Sequence, residues 1–256
     1  MSNKLRLGID INEVLRARSL QFDRYYYQEF GEEGIPDESY VYDFRNTYKW
    51  NAVNETINIL RDNVPDDISP LEYIVDPKTC EAPIDALAFK KEINNLSADD
   101  VYDRFLYQDY LYEIFGAAPV MYKGMENDVL KFYQKYSDVI DIIIVSKEKK
   151  KSIPPTLFFI SKLMLFSRKY IFTERSSEIW DEVDILITSD PELLYNFPAD
   201  KKSIKVIRPY NIEMPSDLEI LQINDLNDLK EGSVKGSLEE NVLNKSNEFK
   251  KLINII

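Results

Sequence analysis

The chain has 256 residues, with 32 Lys plus Arg against 45 Asp plus Glu (net charge −13), one cysteine, seven glycines and no histidine. Without histidine there is no Ser-His-Asp triad, Cys-His pair or imidazole metal site. The single Cys80 builds neither an internal disulfide nor a thiolate zinc cage, which suits a reducing, intracellular (cytoplasmic) setting. The acidic surplus lacks the positive field that nucleic acid and anionic lipid require, so direct binding to either is not expected.

What remains for chemistry is carboxylates, hydroxyls, lysines and a hard cation held by oxygen. The length predicts one large domain or a core with a second lobe, and 44% hydrophobic residues suffice for a sizeable core. Ile142 to Val145 is too short to span a bilayer and Thr156 to Phe166 is broken by Lys162. The start, Met1 to Asp10, is not expected to act as a signal peptide.

Leu5 to Ile9 reads as a first strand with Asp10 at its carboxyl end. A helical pattern follows from Glu13 to Phe30, stopped by Gly31, Gly34 and Pro36. A polar stretch rich in Tyr and Asp runs to about Ser97, and short helices and loops are expected there. The tyrosines at Tyr25, Tyr26 and Tyr27, and at Tyr102, Tyr107, Tyr110 and Tyr112, point to core and interface packing rather than base stacking. Ser97 and Asp100 fit a capping box ahead of a stripe of Val101, Phe105, Leu111, Ile114 and Phe115 that Gly116 ends.

Further on, a helix at Asp128 to Tyr136 leads into a strand at Ile140 to Val145, with Ser146 at its end. A helix at Pro155 to Phe166 precedes strands at Tyr170 to Thr173, Asp184 to Ile187 and Lys205 to Ile207. Alternating strands and helices predict an α/β fold, a parallel sheet covered on both faces. Ligands gather at the carboxyl ends of such strands, so Asp10, Ser146 and the turn Thr188 to Asp190 are expected to meet.

The tail reads differently. Lys230 to Gly236 is a linker, and Ser237 with Glu240 offers another capping box. Leu238, Val242, Lys245, Phe249, Leu252 and Ile256 then share one face of an amphipathic helix. That helix either packs on its own core or docks on another subunit, through Leu238, Val242, Phe249, Leu252 and Ile256.

Three strand-end segments carry a family resemblance: Gly8-Ile9-Asp10-Ile11-Asn12-Glu13-Val14-Leu15, Ile142-Ile143-Ile144-Val145-Ser146, and Asp184-Ile185-Leu186-Ile187-Thr188-Ser189-Asp190-Pro191-Glu192. With Asp43-Phe44, Trp50 and Arg208-Pro209-Tyr210-Asn211, they resemble the haloacid dehalogenase-like (HAD) hydrolases, within them the 5'-deoxyribonucleotidase branch, over residues 4 to 212. The resemblance implies a Rossmann-like core from residues 1–14 and 120–215 and a helical cap insertion at 15–119; it leaves the tail uncovered, and the linker with its C-terminal helix at 216–256 rests on the pattern of the tail itself.

By position, the resemblance makes Asp10 the phosphoryl-accepting nucleophile and puts Asn12 in the acid/base place. Ser146 would bind a phosphate oxygen, Arg175 would stand for the family's lysine with Lys169 as second choice, and Asp10 with Asp190 would remain for Mg²⁺. Asparagine cannot donate and accept a proton in turn, and the family's adjacent metal-holding acids fall on Thr188 and Ser189. Each residue also has a plainer reading: Asp10 and Ser146 as helix caps, Asp190 before Pro191 as a helix start, and Lys147 to Lys151 as a solvated helix face.

The motifs are thus degenerate, and the function expected first is a catalytically inactive relative serving as a structural or docking subunit of a larger assembly. No cofactor is then needed, protein subunits are the partners, and an oligomer is compatible. Asn-, Lys-, Ile- and Tyr-rich usage fits an AT-rich genome, and a phage virion is one setting. The alternatives are a Mg²⁺-dependent 5'-nucleotidase or phosphatase acting through an aspartyl-phosphate, and a module that binds a phosphorylated ligand without cleaving it.

Overall fold

The computed structural model describes residues 4–30, 43–48, 50, 97–163, 167, 169–212, 221–229 and 251–252. Among them six strands form one parallel sheet: β1 (Leu5–Asp10), β2 (Ile140–Lys147), β3 (Lys169–Thr173), β4 (Ile185–Thr188), β5 (Lys202–Val206) and β6 (Leu221–Ile223). The strand order is β3-β2-β1-β4-β5-β6. The helices are α1 (Arg18–Phe30), α2 (Phe44–Thr47), α3 (Ala98–Arg104), α4 (Met125–Tyr136), α5 (Ile153–Lys162), α6 (Ser176–Trp180) and α7 (Pro191–Tyr195). This is the expected α/β, Rossmann-like arrangement, and its last strand lies beyond residue 215.

Buried parallel strands need apolar side chains on both faces, which the runs Ile-Asp-Ile-Ile-Ile-Val and Ile-Leu-Ile-Thr supply. One face sets Leu7, Ile9, Ile142, Ile144, Ile187 and Val206 against Met125, Val129 and Phe159. The other sets Ile143, Val145 and Leu186 against Ile179, Trp180, Val183 and Leu193. Gly8 sits where a Cβ would approach Leu186 Cδ1 and Val183 Cγ1 to 2.8 Å, so the central strand requires the missing side chain.

The chain divides into two compact units, one holding the described residues up to Phe22 and from Leu111 on, the other those from Asp23 to Tyr110. In the second unit Tyr26 packs 4.7 Å from Tyr48 and 5.4 Å from Trp50, ring centre to ring centre. The Trp50 indole donates to the Phe44 carbonyl, and Asp43 caps α2. Ser97 and Asp100 form the expected capping box of α3. Tyr26 is thus a core residue, whereas Tyr27 is exposed.

The helix expected from Glu13 begins instead at Arg18. Between strand and helix the chain makes a tight loop in which Leu15 and Arg16 both donate to the Ile11 carbonyl, and Glu13 takes a left-handed φ of 57°. The helix expected at Pro155 to Phe166 starts at Ile153, with its prolines in the first turn where no donor is lost. Of the tail positions, Leu238, Val242, Phe249 and Ile256 lie outside the described residues. Leu252 is half-buried and packs against the main core.

Candidate active site at the strand ends

The order β3-β2-β1-β4-β5-β6 reverses direction between β1 and β4, and crevices at such reversals, outside the carboxyl ends of the strands, are where α/β sheets bind ligands. Asp10 ends β1, Ser146 lies one residue inside the end of β2, and Thr188 ends β4. The residues singled out by the motifs therefore meet at one place. Asp184, which opens the last motif, lies away from it and pairs with Arg6 at 2.7 Å.

Asn12 occupies the centre of this cluster and both ends of its amide are engaged. Its Nδ2 donates to Ser146 Oγ at 3.1 Å, and its Oδ1 accepts from Arg16 Nε at 3.2 Å and Nη2 at 2.5 Å. Arg16 is fully buried. Its remaining bonds reach the Phe115 carbonyl (2.6 Å), Thr156 Oγ1 (2.8 Å) and Glu148 Oε2 (3.1 Å), so all five guanidinium donors are used. The plane of the group also lies over Phe115 and Phe159, with centroids at 5.1 and 5.5 Å. Burial pulls the Arg16 pKa below its ordinary range and Glu148 opposes that shift.

Asp10 is buried and its carboxylate is also engaged. Oδ1 accepts from the Asn12 backbone N–H at 3.3 Å and Oδ2 from Thr188 Oγ1 at 2.7 Å. Burial pushes its pKa up to about 7; the Thr188 hydroxyl works against the shift and Asp190 adds to it. Ser189 donates to the Asn12 carbonyl at 3.4 Å and accepts from Tyr210 at 2.8 Å. Asn211 holds the Ser189 carbonyl, and Arg208 Nε holds the Glu13 carbonyl at 2.9 Å. The motif around Arg208 thus builds a wall beside the β4 turn.

Asp190 is the N-cap of α7, its Oδ1 accepting from Glu192 N (2.8 Å) and Leu193 N (3.3 Å). This is the helix-start reading of Asp before Pro191. Its Oδ2 lies 3.8 Å from Lys147 Nζ, and the same ammonium also pairs with Glu192. Lys147 is the last residue of β2, so it does not belong to a solvated helix face with Lys150 and Lys151.

Arg175 is not brought to the crevice. It flanks α6 with a side chain 78% exposed and pairs with Glu178, one helical turn on. Lys169 starts β3, at the opposite end of the sheet, and pairs with Glu182. Ser146 is fully buried and accepts its hydrogen bond from Asn12 rather than capping a helix.

A hard divalent cation wants several oxygens with anionic charge. Here Asp10 is committed to Thr188 and the Asn12 backbone N–H, Asp190 to its helix and Lys147, and the Asn12 backbone carbonyl to Ser189. No group of three or more acidic residues suited to a metal occurs among the described residues. The donor set does not fit magnesium. Sequence reasoning missed Arg16 and Thr156, and read Lys147 as part of a surface run. The available signals were a lone arginine inside Val14-Leu15-Arg16-Ala17 and a lone acid, Glu148, interrupting four lysines.

No family model and no curated protein matches the chain. Among solved structures it is similar to a haloacid dehalogenase-like hydrolase of Burkholderia xenovorans, at 12% identity and a TM-score of 0.46, over 88% of this chain and 94% of that one. A HAD-hydrolase of Bacillus subtilis bound to magnesium aligns at 13% identity and 0.45, over 88% and 96%. A haloacid dehalogenase-like hydrolase of Xanthomonas campestris aligns at 11% and 0.42, over 87% and 91%. No helix among the described residues is long and apolar enough to cross a membrane.

Proposed function

We propose that the chain is a HAD-like, nucleotidase-like protein that does not turn over phosphoesters and acts as a structural or docking subunit of a protein assembly. The observation that carries the loss of catalysis is the double engagement of Asn12. At the position where the motif resemblance requires a proton-transfer group stands an amide held by Ser146 on one side and Arg16 on the other. General acid/base catalysis contributes roughly a hundred- to ten-thousandfold, and an amide supplies none of it. The nucleophile position is weakened as well, because a carboxyl with a pKa raised to about 7 is partly neutral at neutral pH. The docking role would use the exposed Leu157 and Phe158, adjacent on α5.

Hydrolysis of deoxynucleoside 5'-monophosphates and a chromogenic aryl phosphate, with Mg²⁺ supplied, tests the reading. The expected rate equals that of an Asp10→Asn variant. Wild-type turnover that vanishes in that variant refutes the silent reading and makes the protein a phosphatase. For docking, light scattering and co-purification from the native source are expected to give a stoichiometric complex that a Phe158→Glu substitution weakens.

A further inference from the structure

We infer that Lys147 is a second cation at the rim of this crevice, beside the Arg18 whose charge acts on Asp10: its ammonium serves as counter-charge to the carboxylates at the start of α7, and in doing so disfavours a divalent metal there. The inference goes beyond the loss of catalysis, because a protein can lack a proton-transfer group and still bind magnesium.

Sheet geometry sets the argument. In the β1 to β2 register Asp10 stands opposite Val145, so Lys147 lies two residues beyond the level where β1 ends. Side chains alternate along a strand, so Lys147 projects to the same face as Val145 and hence as Asp10. The strand order places β1 between β2 and β4. Leu193 of α7 packs on that same face with Val145, which brings the first turn of α7 within reach of the end of β2. Lys147 reaches it, with Nζ 3.8 Å from Asp190 Oδ2 and paired with Glu192.

Glu192 is fixed in turn by Ser176 Oγ at 2.7 Å, which ties the strap to α6. The Lys147 side chain is only 19% exposed. An ammonium held against two carboxylates offsets one of their two negative charges and so weakens the field that a divalent ion needs. The tethered charge has no entropy of association to lose, whereas a free ion must also shed water from its shell.

Manganese binding, read from the loss of the free-ion electron paramagnetic resonance signal, tests this without any catalytic readout. Wild-type protein is expected to leave the signal unchanged at millimolar Mn²⁺. Lys147→Met is expected to gain affinity by at least about tenfold, the equivalent of about 1.4 kcal/mol, and Lys147→Arg to exclude the ion as wild type does. Wild-type binding that Asp10→Asn abolishes overturns the inference, as does a folded Lys147→Met variant that gains nothing.

A measurement on the unmutated protein stands beside it. Acylation of Lys147, followed by peptide mass mapping, is expected to be slower than at the exposed Lys150 and Lys151 and indifferent to Mg²⁺. Labelling of Lys147 that Mg²⁺ accelerates shows the ion displacing the amine and refutes the assignment. Phosphoester turnover is scored separately, so metal-free hydrolysis would overturn the silent reading and leave the cation assignment standing.

Discussion

Replacing Asn12 by Asp gives the chain the residue type that the resemblance calls for, and the structure predicts that activity does not return. The new carboxylate would accept from Arg16 Nε and Nη2, which now lie 3.2 and 2.5 Å from Asn12 Oδ1. A bidentate guanidinium holds a carboxylate in its charged form and keeps its pKa at or below the ordinary Asp range. With an ordinary pKa of about 3.9, roughly one molecule in a thousand is protonated at pH 7, and fewer with Arg16 beside it. That deficit offsets most of the hundred- to ten-thousandfold that a general acid contributes. The variant also places a second buried carboxylate on a guanidinium already paired with Glu148, so it should lose about 1–3 kcal/mol at neutral pH. The assays are phosphoester hydrolysis with Mg²⁺ and urea unfolding across pH. A hundredfold or larger gain in hydrolysis from Asn12→Asp alone refutes the argument that Arg16 fixes the site in its inert state.

Glu148→Gln leaves Arg16 buried without its counter-ion, in a pair whose side chains are 0% and 1% exposed. Unfolding should show a loss of about 3–5 kcal/mol, and a loss below about 1 kcal/mol contradicts the assigned pairing. Asp10 has its folded pKa raised from 3.8 to about 7, so the folded state binds more protons than the unfolded one between those values. Its contribution is fully present below about pH 4, declines as pH rises towards about 7 and is flat above. Asp10→Asn should remove that decline and be the more stable protein at pH 8, measured as denaturation midpoints from pH 4 to 8; parallel pH curves for both proteins refute the assignment. Gly8→Ala pushes a methyl to 2.8 Å from Leu186 and Val183 in the central strand, and should cost about 1–3 kcal/mol in thermal unfolding.

The sheet was legible because its central strands β2 and β4 are runs of β-branched and aliphatic residues and helical periods separate the strands, and parallel pairing with strand-end convergence follows from that alternation; β5 was read less well, since Lys202–Val206 begins three residues before the expected Lys205. The sixth, Leu221–Ile223, has three residues and pairs only with β5, too short for a period to register. Helix starts were legible where a cap announces them, as at Ser97 and Asp190. The start of α1 was not, because Val14, Leu15 and Ala17 continue an apolar pattern through a loop whose shape is set by Ile11 and by the left-handed Glu13.

The site divides along the same line. Asp10, Asn12 and Ser146 were reachable through motif position, since the sheet alone brings strand ends together. Arg16, Glu148 and Thr156 meet through bonds 132 to 140 residues apart in sequence, and no local spacing encodes them. What the sequence did contain was a pair of misfits, one cation in an apolar segment and one anion in a cationic run. Each alone reads as noise, yet a buried charge is tolerated only when matched. Two opposite misfits that flank strands paired in register, β1 and β2, are therefore a prediction of contact. The same reasoning separates Lys147 from the lysines that follow it. A strand-end lysine beside a helix that begins Asp-Pro-Glu has anionic partners within reach, whereas Lys150 and Lys151, in the turn before α5, face water.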